Sequence, residues 1–348
     1  MNKYAVLSFI AVFFFAGSAF AQQQSDNDGA DASLSAQINE ITVNLDRAKN
    51  KKEKIELYER FAETLAESGR YGAAENAYKK LLEMNPPKKK KFAYYTRFGD
   101  LEALQKNYSS ALEYYKKAQA VYPKDVEINL KIGDILLASN LYNLAEKSFL
   151  DALDADKNSD YAKKRLGDIC LYRNQYSKAL EYYNAIDLSH YDEDVAVNAA
   201  VCLRYIGQID DALKRVNYFL SGTRSAEAYF VSGMLYADKK MYAEAEKQFL
   251  NSIEIDDKNF IVYVHLAGIY SINDEGEKAK AALDKAYALN SSYAVVDLMY
   301  AEISYKSNRI YEARRYAYNA AAKAKTPFVK EQAQRMLEYL NSVKKNDK

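Results

Sequence analysis

The sequence predicts an all-α fold, a solenoid of about eight helical hairpins with a capping helix at each end. Three observations carry this prediction: an alanine recurs with a period near 34 residues, a small residue stands twelve positions before it, and a large apolar residue usually stands four positions after it. A fixed period of this length in a helix-rich chain indicates stacked hairpins, each of which buries its apolar face only against its neighbours. The recurring alanines are Ala74, Ala111, Ala145, Ala179, Ala212, Ala245, Ala279 and Ala313.

The two flanking positions indicate how the hairpins pack. Small residues let two helices approach closely, and large residues fill the gap between a hairpin and its neighbour. The small residues are Ala62, Gly99, Gly133, Gly167, Ala200, Gly233, Ala267 and Ala301. The large residues are Tyr78, Tyr115, Phe149, Tyr183, Val216, Phe249 and Leu283, with the small Ala317 in the eighth unit.

The first residues of the chain predict a signal peptide over 1–21. Lys3 precedes a charge-free apolar stretch that ends in Ala19-Phe20-Ala21, an A-x-A cleavage site. Cleavage is favoured over an uncleaved anchor because the apolar run is short for a spanning helix. With no cysteine near the site for lipid attachment, we expect an exported protein, periplasmic or secreted, that meets a membrane only through an uncleaved signal or a partner.

The segments next to the repeats predict a linker and two caps. Residues 22–33 are small and polar and predict a disordered linker. Over 34–52, apolar residues spaced four, three, four and three apart predict a helix, and these are Leu34, Ile38, Ile41, Leu45 and Ala48. A cap on the first repeat is favoured over a short oligomerising coiled coil, since only about two heptads are present. An amphipathic pattern predicts a C-terminal capping helix over 328–344.

The repeats resemble the tetratricopeptide repeat family. The resemblance rests on Tyr95-x2-Phe98-Gly99 with Ala111-x3-Tyr115 and Pro123, and on Tyr229-x2-Ser232-Gly233 with Ala245-x3-Phe249. It implies a right-handed α-solenoid of eight units within 53–327, at about 55–88, 92–125, 126–159, 160–192, 193–225, 226–259, 260–293 and 294–327. The chain departs from the family pattern in having no tryptophan and few closing prolines.

Composition and motifs exclude several classes of function. With 49 basic and 48 acidic residues, the chain has no general electrostatic reason to bind nucleic acid. The run Lys88–Lys91 after two prolines predicts a solvated loop. Cys170 and Cys202 are predicted to be core thiols, and the alternative is an oxidised pair, because export implies an oxidising compartment. The sequence has no Ser/His/Asp arrangement, phosphate loop or metal-ligand cluster, so we expect no enzyme, no cofactor and no metal.

The resemblance implies that the first helix of each hairpin lines a concave groove. In units two to four the groove positions are charged, and they are Arg97, Asp100, Lys131, Asp134, Lys164, Arg165 and Asp168. Opposite charges three residues apart pair along one helix. Two interpretations stay open for this half: a self-neutralised, solvated surface, or a ladder of polar contacts for an extended peptide.

In units five to eight the same positions are mostly apolar or aromatic. They are Val197, Asn198, Val201, Tyr205, Phe230, Val231, Met234, Ile261, Val264, His265, Val295, Leu298, Met299 and Tyr305. An exposed apolar patch of this kind usually marks a partner site, which favours a ligand groove. The alternative is that the C-terminal helix or a tighter superhelix covers these side chains.

Two classes of function follow. The first is a non-enzymatic, exported scaffold that binds a peptide or helix of a protein partner in the groove. The second is a structural, self-assembling subunit of a cell-envelope complex that uses the N-terminal helix and the convex face. The clamp for a C-terminal carboxylate, which the resemblance also implies, matches Lys164 and Asn198, but it does not match Asp168, Glu227 or Val231.

Overall fold

The computed structural model describes residues 28–346, with side chains from 33 to 342 except at 188. Over the described residues it has eighteen α-helices and no strand. The predicted all-α fold of stacked helical hairpins is confirmed. The predicted signal peptide, 1–21, and the first part of the predicted linker, 22–27, lie outside the described residues.

The chain forms two compact units, one that ends at Ile186 and one that begins at Asp187. The helices of the N-terminal unit are α1 (Asp28–Arg47), α2 (Lys51–Glu67), α3 (Tyr71–Glu83), α4 (Lys88–Leu104), α5 (Tyr108–Val121), α6 (Val126–Ala138), α7 (Tyr142–Ala155), α8 (Asp160–Tyr172) and α9 (Tyr176–Asn184). The C-terminal unit has a 3-10 turn (Leu188–His190) and then α10 (Glu193–Tyr205), α11 (Ile209–Leu220), α12 (Ala226–Asp238), α13 (Tyr242–Ile255), α14 (Phe260–Ile272), α15 (Gly276–Leu289), α16 (Ala294–Lys306), α17 (Ile310–Lys323) and α18 (Pro327–Asn346).

In four hairpins, a glycine on the first helix faces an aromatic ring on the second helix. Gly133 of α6 faces Phe149 of α7, and a Cβ at Gly133 would lie 2.6 Å from two ring carbons of Phe149. The recurring alanines Ala145 and Ala179 are fully buried, as predicted. The repeat positions are therefore set by steric fit inside a hairpin as well as between hairpins.

The turns between paired helices share one backbone motif. Each has one residue with a left-handed φ, and these residues are Gly69, Lys106, Asn140, Asn174, Gly207, Lys240, Asp274 and Asn308. The N–H that follows this residue donates to a carbonyl five residues back, as Leu141 donates to Leu136 at 2.8 Å. This closes the exposed carbonyl end of the first helix in a Schellman motif.

Replacing Lys106 with glycine is expected to stabilise the protein. Lys106 has a φ of 62°, a conformation that costs a non-glycine residue about 1 kcal/mol and glycine almost nothing. Urea unfolding should show a gain of about 0.5 to 1 kcal/mol. The matched control is Lys147→Gly, at an exposed position inside α7, which should lose about 1 kcal/mol. If Lys106→Gly and Lys147→Gly both lowered the free energy of unfolding, the strain proposed at Lys106 would be contradicted.

Two helices begin earlier than the sequence predicted. α1 begins at Asp28, so the predicted linker is helical from 28 to 33. α4 begins at Lys88, directly after Pro87, so the lysine run is helical and not a loop. Proline is well tolerated at a helix start because no backbone donor is needed there.

The lysine run makes contacts inside the N-terminal unit. Lys90 Nζ lies 2.9 Å from Glu59 Oε1 of α2, and Tyr94 donates its hydroxyl to the same oxygen. Lys88 lies over the Tyr122 ring, 4.9 Å from its centroid. These contacts hold α4 against its neighbours. The sequence predicted that the whole lysine run is solvated, but Lys88 and Lys90 contact other residues of the unit.

The predicted seam of α1 is turned toward the repeats. Ile38 and Ile41 are buried, and Ile38 packs in one cluster with Ala62 and Leu65 of α2. The two most central seam residues are thus occupied within the chain, which is the arrangement that a cap requires.

Both cysteines are buried thiols. Cys170 lies in the core of the N-terminal unit and Cys202 in the core of the C-terminal unit. Burial raises the pKa of the Cys170 thiol. The prediction of core thiols is confirmed, and a buried neutral thiol of this kind has low reactivity.

Candidate functional site

The charged positions predicted for the groove lie on three first helices of the N-terminal unit. Arg97 and Asp100 are on α4, Lys131 and Asp134 on α6, and Lys164, Arg165 and Asp168 on α8. All of them are at least partly exposed to solvent. The structure therefore places these residues on accessible faces of α4, α6 and α8.

Ion pairs connect successive first helices more closely than they connect residues of one helix. Lys131 Nζ on α6 lies 2.7 Å from Asp100 Oδ1 on α4, and Arg165 Nε on α8 lies 3.2 Å from Asp134 Oδ1 on α6. The pairs predicted along one helix are longer, at 3.8 Å: Arg97 with Asp100, and Arg165 with Asp168. The charges form a ladder from hairpin to hairpin, which we call the polar ladder.

Tyrosine hydroxyls hold two carboxylates of the polar ladder. Tyr115 donates to Asp100 at 2.8 Å and Tyr183 donates to Asp168 at 2.7 Å, each from the second helix of the same hairpin. Burial, and then the Asp100 carboxylate, raise the pKa of Tyr115, so its hydroxyl keeps its proton and remains a donor. The sequence showed these tyrosines only as core residues, and their second role depends on the folded distance.

In the third hairpin, the donor to the carboxylate comes from a different helix. It has Phe149 in place of the tyrosine, and Tyr161 at the start of α8 donates to Asp134 at 2.8 Å instead. Arg165 in turn donates to the Tyr161 hydroxyl at 2.8 Å. Burial raises the pKa of Asp134, and the neighbouring Arg165 opposes that shift. The ladder is thus continuous across a repeat that lacks the hydroxyl.

The polar ladder neutralises much of its own charge. Partly exposed ion pairs of this type contribute about 0 to 1 kcal/mol each, so the polar ladder adds little to the stability of the fold. A peptide that bound here would have to compete with these internal pairs. The hypothesis of a polar peptide ladder stays a prediction.

The apolar positions predicted for the groove are largely internal. Eight of the fourteen are buried, which corrects the expectation of an exposed patch: Val197, Asn198, Val231, Met234, Val264, His265, Val295 and Met299. The reason is that first helices pack on one another in this unit, α10 on α12, α12 on α14 and α14 on α16. Their inner apolar side chains fill these contacts, since burial of apolar surface yields about 25 cal/mol per Å².

The other six residues are partly buried and fall into two groups. Leu298 and Tyr305 pack on a cluster that contains Met336 and Leu340 of α18, so the C-terminal helix covers them in part. Val201 and Tyr205 on α10, Phe230 on α12 and Ile261 on α14 form the second group. We call this second group the open inner face.

Phe230 joins the open inner face to a buried histidine. Its ring lies 5.2 Å from the His265 ring in an edge-on arrangement, and the Phe249 ring lies 5.7 Å from His265 on α14. His265 is 2% exposed. Burial, and then the positive charge of Arg204, lower the pKa of His265 to about 3. The imidazole is therefore a neutral core group that supports Phe230.

Histidine NMR signals should show this directly. Because the folded pKa of His265 lies well below its unfolded value, the stability that its neutrality contributes is present above about pH 6.5 and is lost as the pH falls toward 3. We expect the His265 ring signals to stay constant between pH 5 and 8. A midpoint near pH 6.5 for His265, assigned with His265→Gln, would contradict the buried position.

Sequence analysis missed an ion pair across two first helices. Arg204 of α10 donates through two nitrogens to Asp238 of α12, at 2.5 and 3.1 Å, and only 8% of its side chain is exposed. The only available signal was a pair of opposite charges 34 residues apart, one repeat period. Sequence analysis named Glu227 only as a mismatch to the carboxylate clamp, and the structure places this residue half-buried at the start of α12.

The described residues include no cluster of metal ligands and no membrane-spanning helix. Between residues 28 and 346, no group of three or more His, Cys, Asp or Glu side chains could hold a metal ion. None of the helices in this part of the chain combines the length and the apolar character needed to cross a bilayer.

Family profiles match part of the chain. Tetratricopeptide repeat profiles match residues 60–126, 103–166 and 226–259. The chain contains tetratricopeptide repeats. The matched segments include α3 to α7 and the whole hairpin of α12 and α13. No curated protein matches the sequence significantly.

Solved structures share the repeat fold. A tetratricopeptide repeat protein from Parabacteroides merdae has a TM-score of 0.58 at 16% identity, over 72% of this chain and 99% of that one. The C-terminal part of a repeat protein from Cytophaga hutchinsonii has 0.51 at 19%, over 68% and 98%. A human IFIT1 dimer with PPP-AAAA has 0.53 at 16%, over 93% and 88%. At these identities the likeness concerns the fold alone. Tetratricopeptide repeats are typical of non-catalytic scaffolds, and their fold is suited to protein–protein interaction.

Proposed function

We propose that the protein is a non-enzymatic scaffold that binds a peptide or a helix of a protein partner through the open inner face. The observation that carries this proposal is the set of apolar side chains Val201, Tyr205, Phe230 and Ile261, which remain partly accessible to solvent on consecutive first helices. Large apolar side chains left at a surface are typical of interaction sites. The packed helices beneath hold them in fixed positions, which lowers the entropic cost of binding.

The charge of the chain favours a protein partner over a nucleic acid. IFIT1 was solved with PPP-AAAA. The formal net charge of this chain is +1, and Lys131 and Arg165 of the polar ladder are paired with carboxylates. A nucleic-acid site needs unpaired cations to displace counterions from phosphates. We therefore expect no dependence of partner binding on nuclease treatment.

We propose further that the protein is exported. The support is the sequence of residues 1–21, with its apolar stretch and A-x-A site. Intact mass analysis of the protein from cell envelope fractions should give an N-terminus at Gln22. An uncleaved chain in the cytosol would overturn this part of the proposal.

Photo-crosslinking tests the binding surface. Benzoylphenylalanine at position 261 should crosslink a partner from an extract of the source organism, and the same group at position 311 on the outer side of α17 should not. Phe230→Ala should weaken the crosslink at position 261 while helical content stays constant. Equal crosslinking at positions 261 and 311, or none at 261 in every extract, would contradict the proposal.

Exposed tyrosines favour the second candidate, a self-assembling structural subunit. Tyr311 is 81% exposed and Tyr318 68% exposed on one face of α17. Such rings suit a contact between copies, because they supply large contact area at low entropic cost. A crosslink at position 311 to a second copy of this chain, lost in Tyr318→Ala, would support this candidate over the first.

A further inference from the structure

The starts of α10 and α12 are joined through one buried hydroxyl. Ser225, which is 4% exposed, caps α12 by accepting from the Ala228 N–H at 3.0 Å. The same hydroxyl donates to Glu193 Oε1 at the start of α10, at 2.5 Å. The two helices belong to successive hairpins and pack against each other. Their ends are therefore coupled through Ser225.

Three carboxyl groups lie at the starts of these two helices. Glu227 lies two residues after Ser225 on α12, and Glu193 and Asp194 lie in the first turn of α10. Burial, and then the charges of Glu193 and Asp194, raise the pKa of Glu227 to about 7. The positive end of the α12 dipole favours the ionised form, so burial and repulsion outweigh it here.

Among the helices packed against α12, α10 carries the two charged groups that raise the pKa of Glu227, which are Glu193 and Asp194. The nearby cations on these elements and their connections engage other groups: Arg204 with Asp238, Arg215 with Tyr191, and Arg224 with Glu254. On α11, Lys214 pairs with Asp211. On α13, Glu246 accepts from Tyr270, and on α14 the neutral His265 lies beside Phe249.

We propose that the adjoining starts of α10 and α12 form a proton-responsive junction, packed as observed when Glu227 is neutral and loosened when Glu227 is ionised. In the neutral form, two charges remain beside Glu227 and the Ser225 hydroxyl holds Glu193 in place. Loss of the proton adds a third negative charge at a half-buried position. The charge is better solvated if the two helix ends separate.

The direction of the pH dependence follows from the linkage between protonation and opening. An opened junction returns Glu227 toward its ordinary pKa of about 4.5, so the closed state holds more protons between about pH 4.5 and 7. The closed state therefore loses stability as the pH rises through this window. Between pH 6 and pH 8, the opening constant should rise by up to about tenfold.

Hydrogen–deuterium exchange at pH 6 and pH 8 tests this proposal in the full chain. After correction for intrinsic exchange rates, peptides from 193–205 and 226–238 should lose protection by about three- to tenfold at pH 8. Glu227→Gln should remove this pH dependence. The matched control is Glu244→Gln, at an exposed position on α13, which should leave it intact. Equal protection at both pH values in the unmodified protein would overturn the proposal, as would a pH dependence that persists in Glu227→Gln.

A second variant separates electrostatics from packing. Glu193→Gln keeps an oxygen to accept from Ser225 but removes one charge beside Glu227. The midpoint of the exchange transition should then move to lower pH by at least several tenths of a unit. An unchanged midpoint would overturn the proposed coupling, and this test holds even if Glu227→Gln folds poorly.

Discussion

Gly133→Ala is expected to destabilise the third hairpin by about 2 to 3 kcal/mol. The new Cβ would lie 2.6 Å from the ring of Phe149, which is fully buried and has no space to move into. Urea unfolding followed by circular dichroism should show the loss. Gly72→Ala is the matched control, because a Cβ at Gly72 meets nothing within 4 Å and should stabilise α3 by about 0.5 to 1 kcal/mol.

A second substitution should rescue the first. Hairpin seven has alanine at the matching position, Ala267, and the smaller Leu283 opposite it. Gly133→Ala combined with Phe149→Leu copies that pair, so the double variant should be at least about 1 kcal/mol more stable than Gly133→Ala alone. A double variant that is no more stable than the single one would show that the ring is not what excludes the methyl group.

Asp297→Ala is expected to destabilise the last hairpin by about 2 to 3 kcal/mol. Asp297 is fully buried, and its Oδ2 lies 2.6 Å from Lys323 Nζ. Lys323 also donates to the Ser291 carbonyl at 2.8 Å and lies over the Tyr287 ring. Removing the carboxylate leaves a partly buried ammonium group without its counterion. The measurement is urea unfolding of the variant against the unmodified protein.

Removing both charges distinguishes the loss of the pair from the loss of a buried group. Asp297→Ala combined with Lys323→Met removes the cation while it keeps most of the side-chain volume. The double variant should recover at least half of the loss, because a lone charge costs more than an absent pair. If the losses of stability in Asp297→Ala and in Lys323→Met simply add in the double variant, the pair has no coupling energy. The buried charge of Asp297 would then be tolerated for another reason.

The helices and hairpins could be predicted because their determinants are local and periodic. Gly133 and Phe149 sit one helix length apart, and their sizes are complementary in the sequence itself. The early start of α4 was less predictable, because Pro86-Pro87 and four lysines fit either a loop or a helix start. The contact of Lys90 with Glu59 of the preceding hairpin adds support for the helix that no local pattern contains.

The candidate site was only partly predictable. Periodicity put Val264, His265 and Phe230 on first helices correctly, but it could not say whether a neighbouring first helix would cover them. That depends on the distance between α12 and α14, which is set by how neighbouring hairpins pack. The polar ladder was predicted as pairs along single helices, and the folded structure has its shorter contacts between helices, as between Lys131 and Asp100.

By itself, the sequence determined the repeat period, the all-α fold and which residues lie on the first helix of each hairpin. These follow from spacing and side-chain size, which act within one hairpin and its immediate neighbour. Only the tertiary structure decided which of these residues are accessible, since exposure depends on how closely successive first helices approach. That approach buries Val197 and His265 and leaves Phe230 and Ile261 only partly buried, because burial depends on distances between hairpins that no single repeat encodes.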